Sequence, residues 1–232
     1  MKPGIAHFAA LLFGLTSPLA AEQRPVVVEL YTSQGCSSCP PADAILSELS
    51  GRSDVIALAL HVDYWDYIGW TDEFGDPAHA KRQRAYASYA GRRSVYTPEM
   101  IVNGQTDIVG AKPMDLSKAI AEHKARAPRM TLEATRNGDT LTVKGSALGD
   151  AAVPMDVHLL RVIPEQQSKI TRGENRGSTY EYTNIAHDLQ NLGSWDGKSP
   201  LDMTVSVTGD ASVVVLVQEA DAGPIVAAAR LD

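Results

Sequence analysis

Hydrophobic and polar positions in the first half of the chain follow the pattern of a strand, a helix and a second strand. Residues 26–31 form a nearly continuous apolar run rich in β-branched side chains, which is typical of a strand buried on both faces. Residues 42–49 then place apolar side chains at helical spacing, and residues 55–62 form a second buried run. Because a helix connects the two strands, they are predicted to be parallel.

The rest of the first half predicts an insertion, a hairpin and a further helix. A polar and aromatic stretch at residues 63–77 leads into an Ala- and Arg-rich segment that is expected to be helical until Gly91. Asn103-Gly104 lies between two β-like runs, which is a strong hairpin signal. Residues 113–127 have an amphipathic helical pattern. We therefore expect a mixed sheet flanked by helices, with a helical insertion after the second strand.

In the second half the pattern changes to short strands separated by turns. Two alternating segments surround Asn137-Gly138, and four further apolar runs follow. A helix is considered only around residues 185–192. Short strands in this number indicate a β-sandwich. The chain is thus predicted to have an α/β domain over residues 22–127, followed by an all-β sandwich domain over residues 128–232.

The N-terminus has the layout of a secretory signal. Lys2 precedes a short apolar run, a Ser-Pro break and two small residues, so residues 1–21 are assigned to a signal peptide cleaved after Ala20 or Ala21. The apolar run is far shorter than the ~20 residues that span a bilayer, which argues against an uncleaved anchor. The mature protein is predicted to be exported, periplasmic or secreted, with no membrane span after signal cleavage.

Composition and charge narrow the range of partners. The 232 residues are 44% hydrophobic and 21% charged, as in an ordinary folded protein. A formal net charge of -7 argues against nucleic acid as a partner, because phosphate binding needs a clustered cationic surface. The sequence also lacks a P-loop, a dinucleotide fingerprint and a G-x-S-x-G elbow.

The two cysteines, Cys36 and Cys39, form a C-x-x-C motif between the first predicted strand and the first helix. A helix N-terminus stabilises a thiolate, which makes Cys36 the candidate nucleophile and Cys39 the residue that resolves a mixed disulfide. Disulfides persist in exported proteins, so the pair is expected to be oxidised unless something reduces it. Pro40 and Pro41 lack backbone donors and fit a first turn, so the regular helix is predicted to begin close to Pro40.

With these features the chain resembles thioredoxin-fold proteins, and more closely the exported thioredoxin-like family catalogued as domain of unknown function 1223. The likeness rests on VELYTSQGCSSCPPAD, HVDYWDYIGW, RQRAY, VYTPEMIVNG and GENRG, which together cover most of the mature chain. The resemblance implies a thioredoxin-like fold in which Pro98 is a cis-proline beside the cysteine pair and Thr97 is its preceding contact residue. Ser37-Ser38 stands where reductive thioredoxins typically have Gly-Pro, so the direction of electron flow does not carry over.

Polar and aromatic side chains follow the second strand. His61, Asp63 and Trp65 lie at or beyond its end, at the sheet edge where the cysteine loop emerges and where binding sites gather. One interpretation is a polar rim in which His61 or Asp63 moves the proton of Cys39. The other is a solvated loop whose aromatic side chains, Trp65 among them, cover the core.

Two charged clusters have less specific interpretations. The first comprises Lys81, Arg82, Arg84, Arg92 and Arg93. A solvated helix face explains this cluster better than an anionic substrate does. The second cluster is the predicted loop at residues 172–177, which either folds over the thiols or is an exposed turn.

These patterns predict an exported thiol-disulfide oxidoreductase that acts on thiols or disulfides of other exported proteins, together with an unknown redox partner. The redox equivalents reside in the Cys36–Cys39 disulfide, so no further cofactor and no metal are assigned. Two alternatives stay open. One is a copper-binding protein or metallochaperone of thioredoxin fold, with both thiols and His61 as ligands. The other is a non-catalytic interaction protein with an idle disulfide.

Overall fold

The elements of the first half follow the predicted order in a computed structural model, which describes residues 24–149 and 153–232. They are β1 (Val26–Thr32), α1 (Pro40–Ser50), β2 (Val55–His61), a 3-10 turn (Asp66–Ile68), α2 (Pro77–Tyr89), β3 (Glu99–Val102), β4 (Thr106–Val109) and α3 (Pro113–Lys124). The predicted signal peptide at residues 1–21 lies outside the described residues. Within them, no helix is long and apolar enough to cross a membrane.

Helices α1, α2 and α3 each begin with a proline. Pro40, Pro77 and Pro113 occupy first-turn positions, where the missing N–H would have no intrahelical partner anyway. Asp76 caps α2 by accepting a 2.8 Å hydrogen bond from the backbone N–H of Ala78. The start of α1 at Pro40 confirms the prediction that the cysteine pair lies on the turn just before the regular helix.

The second half is built of strands. They are β5 (Met130–Asn137), β6 (Thr140–Ala147), β7 (Met155–Lys169), β8 (Thr179–Trp195), β9 (Leu201–Ser206), β10 (Ser212–Glu219) and β11 (Ile225–Leu231). The helix considered around residues 185–192 is wrong, because this stretch lies within β8. Asn184 and Asp188 both have φ of 51°, and the pairing with β7 shifts register between Leu159 and Arg161. Such bulges interrupt the alternation that identifies a strand in sequence.

The strands form one sheet of eight and one of three. The large sheet has the order β11-β10-β7-β8-β2-β1-β3-β4, and the small one the order β5-β6-β9. Strands β1 and β2 are parallel, as predicted, and β3 and β4 form the expected hairpin around Asn103-Gly104. The predicted mixed sheet flanked by helices is therefore present.

One part of the fold prediction requires correction, because the sandwich of the second half is not built from sheets of its own. Strand β8 pairs in parallel with β2 at Ala59 and Ile185, so strands of both halves share the large sheet. One layer of the sandwich is the small sheet, and the other is the part of the large sheet formed by β7, β10 and β11. Strands β7 and β8 are 15 and 17 residues long. This length lets β7 pair with β10 while β8 pairs with β2. The domain boundary between residues 127 and 128 falls between α3 and β5 and stays a prediction.

Three hydrophobic clusters fill the layers. The first packs α1 and α3 against one face of β1 to β4 and includes Leu30, Leu46 and Leu116. The second packs α2 against the opposite face, around Tyr31 and Leu160. The third lies between the two sheets of the second half. Both faces of β1 and β2 are thereby covered, which explains why these strands are apolar at nearly every position.

Candidate functional site

Cys36 and Cys39 form a disulfide immediately before α1. The turn that holds them begins with hydrogen bonds from the Cys36 N–H to Ser33 O (3.1 Å) and from the Cys39 N–H to Cys36 O (3.3 Å). Thr32, the last residue of β1, pairs with His61, the last residue of β2. The disulfide thus emerges at the carboxyl ends of the parallel strands, where the sequence places it.

The Thr97-Pro98 peptide is cis, as the resemblance implies. It precedes β3, which is antiparallel to β1 and therefore begins at the edge where β1 ends. The indole N–H of Trp65 donates to Thr97 Oγ1 at 2.7 Å. Trp65 also packs on the cysteine loop, because a Cβ added to Gly35 would lie 3.1 Å from Trp65 Cβ. The insertion therefore connects the cis peptide to the loop that carries the cysteines.

A loop of the second half is hydrogen-bonded to the turn that carries the buried disulfide. The Asn175 side-chain amide donates to the backbone oxygens of Gln34 (2.9 Å) and Cys36 (3.1 Å). Cys36 is only 2% exposed and Cys39 is fully buried. Of the two interpretations of residues 172–177, the structure shows the one in which this loop, here called the cover loop, folds over the cysteine turn.

The side chain of Gln34 forms hydrogen bonds with both β7 and the insertion after β2, which lie beside the cover loop. Its Nε2 donates to Ser168 Oγ at 3.1 Å, and its Oε1 accepts from Trp70 Nε1 at 2.7 Å. Gly173 of the cover loop has φ of +73°, and an added Cβ would lie 3.2 Å from Trp70 Cβ. Glycine is therefore required there both by backbone conformation and by the close approach of the indole.

His61 lies beside the cysteine turn, but its partner is a carboxylate. Its Nδ1 is 2.7 Å from Asp72 Oδ2, and both side chains are fully buried. The same Asp72 oxygen accepts from the backbone N–H of Gln34 at 2.8 Å. Burial raises the pKa of Asp72, but the charge and hydrogen bond of His61 outweigh it and hold the pKa below its usual range. Asp72 is therefore an ionised group that holds the backbone of the cysteine loop.

A second acidic side chain, Asp43, lies one helical turn after Cys39. Its backbone N–H donates to Cys39 O at 3.1 Å, and the i, i+4 spacing places both side chains on one face of α1. The side chain is half-buried, and its Oδ1 is shielded from water without a partner in the described part of the chain. Burial raises the pKa of Asp43 to about 6, although the charge of His61 acts in the opposite direction. Asp43 can therefore exchange a proton near neutral pH.

Aromatic rings enclose the imidazole from both halves of the chain. The centroid of the His61 ring is 4.8 Å from that of Tyr182, on β8, and 5.2 Å from that of Phe74, in the insertion. Both contacts are edge-to-face. Water is thus kept from the buried side of the site, which strengthens the charge interactions within it.

The remaining predicted residues separate into those the site includes and those it does not. Asp63 is half-exposed, and its side chain makes no hydrogen bond or ion pair with the residues that the structure describes. The carboxylates found at the site are instead Asp72, which pairs with His61, and Asp43, which follows Cys39 by one helical turn. Asp72 belongs to the polar stretch after β2, and Asn175 to the charged loop, so both lay within segments whose composition marked them.

The basic cluster is not a uniform solvated face, so that prediction is wrong for two of its members. Arg82 Nε is 2.6 Å from Glu29 Oε1 in a buried ion pair, and Arg92 Nη2 is 2.5 Å from Glu99 Oε1. Helical spacing turns Arg82 toward the sheet, whereas Arg84 on the same helix is exposed.

Metal ligands do not converge at this site. Across residues 24–149 and 153–232, no group of three or more His, Cys, Asp or Glu side chains is arranged to hold a metal ion. His61 Nδ1 faces Asp72, and both cysteine sulfurs are joined to each other. The residues proposed as copper ligands therefore do not form a ligand set in this oxidised state.

Comparison with known proteins shows the family and finds similar solved structures. Residues 27–218 match the family described as "Protein of unknown function (DUF1223)". The crystal structure of protein AGR_C_4864 from Agrobacterium tumefaciens is 31% identical with a TM-score of 0.77, covering 91% of this chain and 96% of that chain. HBP35 of Porphyromonas gingivalis is similar in fold, with 16% identity, a TM-score of 0.64, and coverage of 90% of this chain and 75% of that one. No protein with a curated description matches the chain.

Proposed function

The chain belongs to the DUF1223 family, whose description assigns no activity, and we propose that it is an exported thiol-disulfide oxidoreductase of thioredoxin-like fold. The observation that carries this proposal is the disulfide at the start of α1, on the same sheet edge as the cis Thr97-Pro98 peptide. Its substrates are thiols or disulfides of other exported proteins, and an unknown redox partner restores the pair.

In the reductive direction, the Cys36 thiolate attacks a substrate disulfide. A bond forms between Cys36 Sγ and one substrate sulfur, and the other substrate sulfur leaves as a thiolate. Cys39 then loses its proton and attacks Cys36 Sγ, which forms the Cys36–Cys39 disulfide and releases the second substrate sulfur. The substrate gains two electrons and the cysteine pair loses two. In the oxidative direction the same steps run in reverse.

Groups around the pair support each step. The N-terminus of α1 favours the thiolate of Cys36, and the Ser38 hydroxyl lies 3.4 Å from Cys36 Sγ, where it can donate to that thiolate. Asp43 is placed to accept the proton of Cys39, because it lies on the same face of α1 and has a pKa of about 6. His61 and Asp72 have a positioning role, because Asp72 binds the backbone of the cysteine loop at Gln34.

The covered state of the disulfide favours a second candidate, a non-catalytic interaction protein. A disulfide buried to this extent cannot exchange with a protein substrate, so catalysis requires the structure around Cys36, which includes the cover loop, to open. The interaction-protein alternative predicts that it stays closed and that the pair remains an inert disulfide.

Mixed-disulfide trapping separates these candidates. The purified protein is reduced and offered a peptide that carries a disulfide to a fluorescent thiol. A Cys39→Ser variant should retain a stable mixed disulfide at Cys36, because the resolving thiol is absent. The matched Cys36→Ser variant should retain far less. If the two variants trap equally little, and the wild-type pair has a reduction potential well below about -300 mV, the disulfide is structural and the proposal fails.

A further inference from the structure

A cavity of about 530 Å³ lies at the edge of the large sheet opposite the disulfide. It is lined by residues 24–26 at the start of β1, residues 53–54 before β2, the β3–β4 turn, parts of residues 123–132, and residues 224–228. Its volume is in the range of small-molecule sites, ~300–1,000 Å³. Because β1 and β2 begin at this edge and end at the cysteine turn, the two sites are separated by the length of the strands.

The floor of the cavity is apolar. Val26, Ile225 and Met130 line it, and each belongs to a different one of the three hydrophobic clusters. The cavity therefore lies where the three clusters meet. An apolar group bound there would continue the packing of all three.

The remainder of the lining is rich in cations. The cationic and imidazole side chains are Arg24, His123, Lys124, Arg126 and Arg129. Two of them are neutralised within the chain. The ammonium of Lys124 is 2.6 Å from Asp54, which Arg52 also contacts, and Arg129 is bonded to Glu219.

Arg24 and Arg126 make no ion pair with the residues that the structure describes. Arg126 donates to the amide oxygen of Gln105 at 2.6 Å, a neutral acceptor that leaves its charge uncompensated. The protein as a whole carries a formal charge of -7. A local excess of positive charge on an acidic protein attracts anions to this cavity in particular.

His123, the imidazole of the lining, adds no positive charge. It is 5% exposed, and its Nε2 is 2.9 Å from Thr106 Oγ1. Its Nδ1 is buried without a hydrogen-bond partner in the described ranges. Burial, together with the charge of Arg126, lowers the pKa of His123, so the ring is neutral at neutral pH.

We infer that this cavity binds a small carboxylate with an apolar chain, its head group at Arg126 and its chain on the floor formed by Val26, Met130 and Ile225. A guanidinium presents paired donors that match a carboxylate, and the apolar floor excludes a purely polar anion as the preferred ligand. The inference does not depend on the cysteine chemistry.

Calorimetric titration of the purified protein with decanoate tests the inference. Decanoate should bind, whereas acetate, which has the charge alone, and decanol, which has the chain alone, should bind at least about tenfold more weakly. Arg126→Gln should weaken decanoate binding by about tenfold or more, and the exposed Arg93→Gln should not. The inference fails if decanoate does not bind, if decanol or acetate binds equally well, or if Arg126→Gln leaves the affinity unchanged.

Methyl NMR of the methionines locates the bound chain. Saturation with decanoate should shift the Met130 methyl signal, since Met130 lines the cavity. Met114 is 81% exposed on α3 and does not line it, so it reports adsorption to the surface. A shift of the Met114 signal with no change at Met130 would place decanoate on the surface and overturn the assignment.

Discussion

Replacing Asn175 by alanine should make the disulfide more reactive toward small reductants. The Asn175 amide donates two hydrogen bonds, to the backbone oxygens of Gln34 and Cys36. A hydrogen bond between neutral groups contributes ~0.5–1.5 kcal/mol, so the two together hold the cover loop closed by ~1–3 kcal/mol. If a reductant reaches the sulfurs only when this loop is open, the rate of reduction should rise by ~5–150-fold.

The assay is the second-order rate of reduction by dithiothreitol, followed by thiol release at constant pH. Arg172→Ala is the matched control, because Arg172 is exposed in the same loop and makes no hydrogen bond with the described residues. Its rate should equal that of the wild type. Thermal unfolding of all three proteins confirms that the fold is retained. Equal rates in wild type and Asn175→Ala would show that the cover loop does not limit access to the disulfide.

Two further substitutions test the buried charges. Because burial raises the pKa of Asp43 from 3.8 to about 6, the folded state favours its protonated form, and the free energy of unfolding should fall as pH rises from 4 to 6. Asp43→Asn should reduce this fall in denaturant titrations at several pH values. It should also abolish the rise of the Cys39 resolving rate through pH 6 in stopped-flow measurements. An unaltered pH profile in either measurement would contradict the corresponding role of Asp43. Arg82→Met leaves the carboxylate of Glu29 buried without its partner and should destabilise the protein by ~3–5 kcal/mol in urea unfolding. The control, Arg84→Met at an exposed position of the same helix, should cost ~0.5 kcal/mol or less. Equal effects of the two substitutions would show that the Arg82–Glu29 ion pair does not contribute to stability.

Local features of the sequence predict the first half well. The two apolar runs and the helix between them make β1 and β2 parallel. The cysteine turn follows β1 directly, so it lies at the edge of the sheet where both parallel strands end. The prolines at residues 40 and 41 limit where α1 begins, and Asn103-Gly104 determines the hairpin. In each case the constraint acts within a few residues, so it is visible in the order of the amino acids.

The contacts that distinguish this site arise between distant segments. Asn175 meets Cys36 across 139 positions, and Gln34 meets Ser168 across 134. Composition drew attention to the cover loop, but composition is equally compatible with an exposed turn. Whether the loop is exposed or lies on the cysteine turn depends on the lengths of β7 and β8, which bring their connecting loop to that turn. The bulges in β8 interrupt the alternating pattern that would have identified this long strand in the sequence.

The position of the cysteine pair, the parallel strands beneath it and the β-rich character of the second half can be predicted from the amino-acid order, because they follow from periodicity, turn chemistry and chain direction. Tertiary contacts between distant segments were needed to show that the two halves share a sheet, that Asp72 pairs with His61, and that burial raises the pKa of Asp43. They also show that the disulfide is buried. Burial, charge and partnership of a side chain are set by segments far away in sequence, and no local pattern records which of them will meet.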